Sequence, residues 1–304
     1  MEKITYNFEA MGTSVGVEII SQNDAQEAAV GVEKIFRANE KIFSRFSSDS
    51  ELAFLNKNLG RETAVSPKMA EVLELCLKFH RISEGYFDPR VFDDLLKIGY
   101  DINFRDLRGR NLKKNPHLKK YDSPLEEDLF LGRGAGTVLL KRRIDTTGIV
   151  KGFTVDEAAR HLTDGGFENF IVDAGGDMFA RGSNEEGEDW LIGVEGADPR
   201  SLMLKLRGEG MATSGITRKN WLVGGKKVHH LINPKDPENF SHSIRTVTVI
   251  ADKTVEADGR AKTLVLMGKD GGLEFAERHG LKALFLDEEG EIFPSRAMTG
   301  NILR

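Results

Sequence analysis

The sequence predicts an α+β fold, with largely antiparallel sheets and helices packed against them. Three observations lead there. Short alternating apolar runs are joined by turn residues, as in hairpins. Apolar residues at helical spacing mark helices lying between those runs. No GxGxxG fingerprint opens a helix, so a doubly wound nucleotide-binding sheet is not supported. At 304 residues the chain suits one domain, residues 1–304, or two intertwined ones.

The elements follow in order. Ile4 to Ile20 reads as a strand pair, with Val15, Val17 and Ile19 alternating and a turn near Met11-Gly12-Thr13. Asp24 to Phe43 is helical, because Ala28, Val32, Ile35 and Phe36 share a side. Ser66-Pro67 starts a helix, Ser as N-cap and Pro at the first helical position, that runs to about Ile82. Gly85 to Tyr100 is a loop followed by a short helical piece. Arg105 to Lys120 carries seven basic residues and one acidic residue, and reads as a solvated loop or a docking surface for an anionic partner. Val138 to Asp145 is a strand, and a helix follows through Leu162. Phe170 to Ala174 is a strand ending in Gly175-Gly176-Asp177. Short strands come next at Trp190–Val194, Leu202–Leu206, His229–Ile232 and Val247–Ile250. Thr254–Met267 and Gly271–Arg278 are helices, and Ala283–Ile292 is a hairpin.

Composition narrows the class. Apolar content of 39% and charged content of 30% describe a soluble globular chain. A net charge of −5 argues against a general nucleic-acid binder. A lone cysteine, Cys76, on the apolar face of a helix is a structural thiol and permits no internal disulfide. No apolar stretch is long enough to span a membrane. The chain as written is cytoplasmic, or exported or lipid-anchored if an N-terminal signal preceded it.

Several stretches can carry chemistry. Asp145-Thr146-Thr147-Gly148-Ile149-Val150-Lys151 joins a strand end to a helix start. Unpaired N–H groups and the positive dipole end suit a phosphate there, and Lys151 adds charge. The plainer reading is a capped helix with a surface Lys. Asp173 to Asp177 is a ligand-approach turn or an ordinary hairpin. Asp258 and Lys262 share a helix face at i, i+4 and read as an ion pair, while Asp258 can also hold a hard cation such as Mg²⁺. His230 can be a general base or an ordinary sheet histidine. Zinc is disfavoured, with no Cys pair and no HExxH.

The order of these pieces is more specific than any one of them. Met11-Gly12-Thr13 comes first, then Phe43-Ser44-Arg45-Phe46 with Asp49-Ser50-Glu51-Leu52 and Leu55-Asn56, then Gly85-Tyr86-Phe87-Asp88-Pro89. The Asp145–Lys151 junction, Gly175-Gly176-Asp177, Ala212-Thr213-Ser214-Gly215, His230 with Pro234, and Ala257-Asp258 through Met267-Gly268 complete it. This series, from Met11 to about Leu286, resembles the ApbE family of FAD:protein FMN transferases.

The resemblance implies an ApbE-like, T-fold-like architecture. It implies Mg²⁺-dependent transfer of FMN from FAD to a Thr hydroxyl of an acceptor protein, with AMP leaving. Two alternatives stay open: an FAD pyrophosphatase giving FMN and AMP, and a non-catalytic FAD-binding protein. By the same resemblance Met11, Phe46, Phe87, Asp88, Asp145, Lys151, Gly175, Gly176 and Leu231 would hold FAD. The Gly148 carbonyl and Asp258 would bind Mg²⁺, and His230 would take the acceptor's proton. Lys151 and Asp258 complete the expected catalytic set. The sequence departs from the family pattern twice. Lys262 stands where the family has a metal-ligating Thr, and Arg90 where it usually has Thr. Lys262 either pairs with Asp258 in the metal's place or reaches the phosphates while Mg²⁺ keeps Asp258.

Overall fold

The computed structural model describes residues 2–102, 111–112, 116–132, 136–198, 202–217, 219–241 and 243–303. Of the basic stretch expected to be a loop, residues 105–110 and 113–115 lie outside the described residues. Strands β1 (Glu2–Ala10) and β2 (Thr13–Ser21) lead to helix α1 (Gln26–Phe43). Next come α2 (Glu51–Lys57), β3 (Glu62–Ala64), α3 (Pro67–Ile82), α4 (Phe92–Lys97), β4 (Asn111–Leu112), β5 (Leu129–Leu131) and β6 (Thr137–Leu140). Helix α5 (Val150–Asp164) is followed by β7 (Asn169–Asp173), β8 (Asp177–Arg181), β9 (Trp190–Gly193) and β10 (Met203–Leu206). Then come β11 (Glu209–Gly215), β12 (Asn220–Val223), β13 (Lys226–His229) and β14 (Ile244–Ala251). The last elements are α6 (Thr254–Arg278), β15 (Lys282–Asp287), β16 (Ile292–Pro294) and β17 (Ile302–Leu303).

These elements form two compact units. One comprises Met1–Glu40, Ile149–Gly215 and Ser243–Arg304; the other comprises Lys41–Gly148 and Ile216–His242. The first is built on an eight-stranded sheet in the order β1-β2-β7-β8-β11-β14-β15-β16. Every neighbouring pair in it is antiparallel, as the α+β reading requires. Val15, Val17 and Ile19 point to one face, where they meet Val32 and Phe36 of α1 and Val155, Ala158 and Leu162 of α5. Ala257, Ala261 and Leu264 of α6 cover Val247, Val249 and Phe285. The neighbours Ile250 and Leu284 belong to another cluster, with Trp190, Leu204 and Leu206. Successive strand residues face opposite ways, so β14 and β15 are buried on both sides. That is why β15 reads as a nearly continuous apolar run, while β14 also buries Thr246 and Thr248.

The second unit holds α2, α3 and α4 and two three-stranded sheets, β3-β6-β5 and β13-β12-β4, the latter with β12 and β4 parallel. Ser66 caps α3 by accepting from Met69 N at 3.2 Å, with Pro67 at the first helical position. Leu95, Ile98, Tyr100, Trp221 and Val228 form its core cluster. Cys76 is fully buried, and burial, aided by the Asp145 and Asp88 carboxylates, pushes its thiol far up. It is a packing residue.

Three expected boundaries move. The strand expected over Val138–Asp145 ends at Leu140. Beyond it the Asn56 amide replaces a strand neighbour: its Nδ2 donates to Ile144 O and its Oδ1 accepts from Ile144 N, both at 2.9 Å. The strand expected to reach Ile232 ends at His229. The two helices expected from Thr254 form one run to Arg278, interrupted at Gly268, where φ is 77° and ψ −178°.

Candidate functional site

The Asp145–Lys151 junction is shared between the units: Gly148 ends a stretch of the second, and Ile149 begins a stretch of the first. Each unit gathers its own set of expected residues.

In the first unit, Lys151 lies in the first turn of α5, Asp177 opens β8, and Asp258 lies just over one turn into α6. The two helices meet at Gly152. A Cβ there would lie 2.7 Å from Thr254 O and 2.8 Å from Val255 Cα, so no larger residue fits this crossing. The contact lets Gly152 N donate to Asp258 Oδ2 at 3.3 Å. Asp156 strengthens it by capping α6, accepting from Thr254 N at 2.7 Å and Val255 N at 2.9 Å. Lys151 pairs with Asp177 and donates to Ala174 O at 3.5 Å. The turn after Ala174 takes φ 68° at Gly175 and 99° at Gly176, which glycine alone adopts freely. Gly176 N donates to Asp173 Oδ1 at 2.8 Å. Met11, at φ 52° in the β1–β2 turn, is held by its N–H on Glu40 Oε1 at 2.8 Å.

The electrostatics follow from burial. Asp258 is 0% exposed, and Lys262 pairs with its Oδ1 from one helical turn on. Burial first, and the Asp177 charge second, push the Asp258 carboxyl up to about 6, against the Lys262 and Lys151 ammoniums. Burial alone would lower Lys151, but the carboxylates of Asp177, Asp258 and Asp173 outweigh it and hold the ammonium charged.

This arrangement tests the implied Mg²⁺. Among the described residues no group of three or more His, Cys, Asp or Glu is placed to hold a metal. The decisive observation is the occupancy of Asp258: one oxygen faces an ammonium and the other a backbone N–H. An ammonium and a dication ~4 Å apart repel by about 8 kcal/mol at an effective dielectric of ~20. A protonated Lys offers no lone pair to a metal. The residues present do not fit a divalent cation at Asp258.

In the second unit, Asp145 accepts from Thr147 N at 2.8 Å and from Thr147 Oγ1 at 2.9 Å. Arg45 Nε lies 3.5 Å from Asp145 Oδ2. The guanidinium of Arg45 lies against two rings, 4.2 Å from the Phe46 centroid and 4.1 Å from that of Tyr100. Its Nη1 donates to Tyr100 O at 2.8 Å, while Nη2 is buried without a hydrogen-bond partner. Phe46 itself is 44% exposed, an unusual position for a ring backed by a buried charge. Tyr100 also meets His230 edge-on at 6.4 Å. His229 is the buried one of the histidine pair, packed on Phe240, and Leu231 is buried after His230.

Two residues expected to hold FAD are buried, with partners inside the unit. The Asp88 carboxylate is buried against Arg90, with Nη2 on Oδ2 at 2.7 Å and Nε on Oδ1 at 3.0 Å. Phe87 is buried against Phe79. Arg90 is equally engaged, with further bonds to Asp128, Ser123 and Pro124 O. Its charge is therefore spent inside the unit. Sequence reasoning gave Arg45, Tyr100 and Asp177 no role. Arg45 and Asp177 lie within the motifs quoted above, yet their ion-pair partners are remote in sequence.

Comparison with known proteins adds the family. The sequence model of the ApbE family matches residues 11–285. The chain is 27% identical over 302 residues to the FAD:protein FMN transferase of Haemophilus influenzae, covering 91% of this chain and 84% of that protein. It is 25% identical over 297 residues to the enzyme of the same name from Klebsiella pneumoniae, covering 94% and 84%. Among solved structures, the ApbE protein of Thermotoga maritima superposes with a TM-score of 0.84 at 24% identity, covering 100% of both chains. The apo flavinyl transferase ApbE of Pseudomonas stutzeri gives 0.80 at 21% identity, covering 99% of this chain and 98% of that one. These superpositions establish the shared mixed helix and antiparallel-sheet fold.

Proposed function

The chain belongs to the ApbE family, and from that premise we propose that it is an FAD:protein FMN transferase, moving FMN from FAD to a threonine hydroxyl of an acceptor protein. The observation that carries this reading is the match over residues 11–285 together with relatives of that name covering most of the chain. The reaction is a displacement at phosphorus. The acceptor oxygen forms a bond to the FMN phosphorus, the bond from that phosphorus to the bridging oxygen breaks, and AMP leaves with that oxygen. The hydroxyl proton passes to His230.

The residues divide the work by chemistry. Lys151, held charged, supplies positive charge to pyrophosphate oxygens, and the Gly175-Gly176 turn lets a ligand approach the backbone. Phe46, braced by Arg45, offers an exposed ring to a flavin or adenine face. Arg45 also fixes Asp145, whose carboxylate orients the Thr147 backbone at the junction. Phe87 and Asp88 shape the adjoining loop from within. Met11 and Leu231 complete the FAD-holding set. Mg²⁺ and the Gly148 carbonyl are left out of this reading, because the Lys262 ammonium occupies Asp258.

The test is incubation of the chain with FAD and a peptide carrying an Asp-Gly-Ser-Gly-Ala-Thr-like motif, following AMP and flavinylated peptide by chromatography. Peptide-dependent AMP release with labelled peptide supports the transferase. FMN and AMP in equal amounts without peptide would identify a pyrophosphatase instead. Bound, uncleaved FAD under every condition would identify a binding protein. In the transferase, His230→Ala is expected to lower transfer by about 100-fold while FAD affinity is retained.

A further inference from the structure

We propose that the Lys262 ammonium is this chain's built-in cation, occupying Asp258 so that FAD binding needs no divalent metal. The ligand in this statement rests on the flavin reading above. The exclusion of the metal rests on the first unit alone.

Asp258 and Lys262 stand one turn apart on α6, so the helix itself sets their distance and no loop must move to join them. Both are removed from water: Asp258 is fully buried, and the Lys262 side chain is 16% exposed. The two oxygens of Asp258 are engaged from opposite elements, Oδ1 by Lys262 and Oδ2 by Gly152 N. A metal entering here would have to displace a charge-assisted pair and leave the ammonium against its own charge. A second such pair, Lys151 with Asp177, stands in the same unit, and both Asp177 and Lys151 act on Asp258. Asp258 and Asp177 are thus each already paired with an ammonium, and Asp173 adds a further carboxylate charge on Lys151. A dication added at Asp258 would sit against the Lys262 ammonium, whereas an added pyrophosphate meets two ammoniums already in place. Each ammonium has three N–H donors, so one can hold its carboxylate and still donate to a phosphate oxygen.

Mn²⁺ titration of the purified full-length chain, following free Mn²⁺ by electron paramagnetic resonance, tests the proposal without any turnover. The wild-type chain is expected to bind no stoichiometric Mn²⁺. Its FAD affinity, read by flavin fluorescence, should agree within about twofold between EDTA and Mg²⁺. Lys262→Thr is expected to gain one Mn²⁺ site, lost again when Asp258→Asn is added. In that single variant Mg²⁺ should tighten FAD by about tenfold or more. One Mn²⁺ bound per wild-type chain and removed by Asp258→Asn would overturn the proposal. A folded Lys262→Thr chain that gains no Mn²⁺ would overturn it too, and the wild-type titration decides even where that variant does not fold. Failure of the wild-type chain to bind FAD under any condition would sink the flavin reading, while the Mn²⁺ titration would still decide whether Lys262 excludes the metal.

Discussion

Asp88 and Arg90 show how a residue can sit in a functional motif and act through structure. Their paired charges are almost completely buried, and Arg90 also reaches Asp128. Removing one partner strands the other, which typically costs about 3–5 kcal/mol. Arg90→Ala is therefore expected to lose about that much stability in chemical denaturation, and an unchanged midpoint would contradict the buried pair. The pair also sets a pH dependence. Burial would raise the Asp88 carboxyl, but His80 and Arg90 outweigh it and hold it below the ordinary carboxylate range. Its stabilising contribution is present above the unfolded value of ~3.9 and is lost as pH falls through the lower folded value. Stability of the wild-type chain should fall below about pH 4 more steeply than that of Asp88→Asn. Equal slopes would contradict the assignment. At this scale the sequence is legible where partners are close in number. Asp258 and Lys262 are visible as an i, i+4 pair. Arg45 and Asp145 are not, because nothing local announces a partner so far along the chain.

Among the elements, the crossing of α5 and α6 carries the most weight. It depends on Gly152 having no side chain and on Asp156 capping the start of α6. Gly152→Ala places a methyl against the backbone of Thr254 and Val255, which cannot retreat as a flexible side chain would. It is expected to destabilise by about 1–3 kcal/mol and to weaken FAD binding by shifting Lys151. Wild-type stability and FAD affinity in that variant would contradict the close crossing. Helices α1 and α3 are legible from apolar spacing and from the Ser66-Pro67 start. Strand β11 is harder to read. It carries Gly210 and Gly215, and Gly210 is required because a Cβ there would lie 2.3 Å from Thr254 N. The residues that weaken its strand signal are the ones its packing demands. The overlong strand after Val138 has the opposite origin: three basic residues follow Leu140 before Ile144, and there Asn56 takes over the backbone bonds.

At the scale of the whole chain, two units are each assembled from separated stretches. In the first, β2 pairs with β7 across most of the other unit's sequence, and β11 pairs with both β8 and β14. Antiparallel class is legible from hairpin-like strands, but this order is not, since periodicity fixes which face is buried and leaves the neighbour undefined. The serial order of motifs is what carries the family, and the matched range, residues 11–285, agrees with it. The candidate site is legible only in part for the same reason. Its residue types and their order can be read, whereas the Lys151–Asp177 pair, the Arg45–Phe46–Tyr100 stack and the internal engagement of Arg90 exist only once the chain is folded.

The most direct measurement is the intact mass of a threonine-bearing acceptor protein after incubation with this chain and FAD in EDTA, with AMP followed in parallel. The account predicts that the acceptor gains one FMN by a phosphoester bond and that AMP appears in equal amount. An acceptor left at its original mass, with FAD intact and no AMP in EDTA or in Mg²⁺, would contradict it.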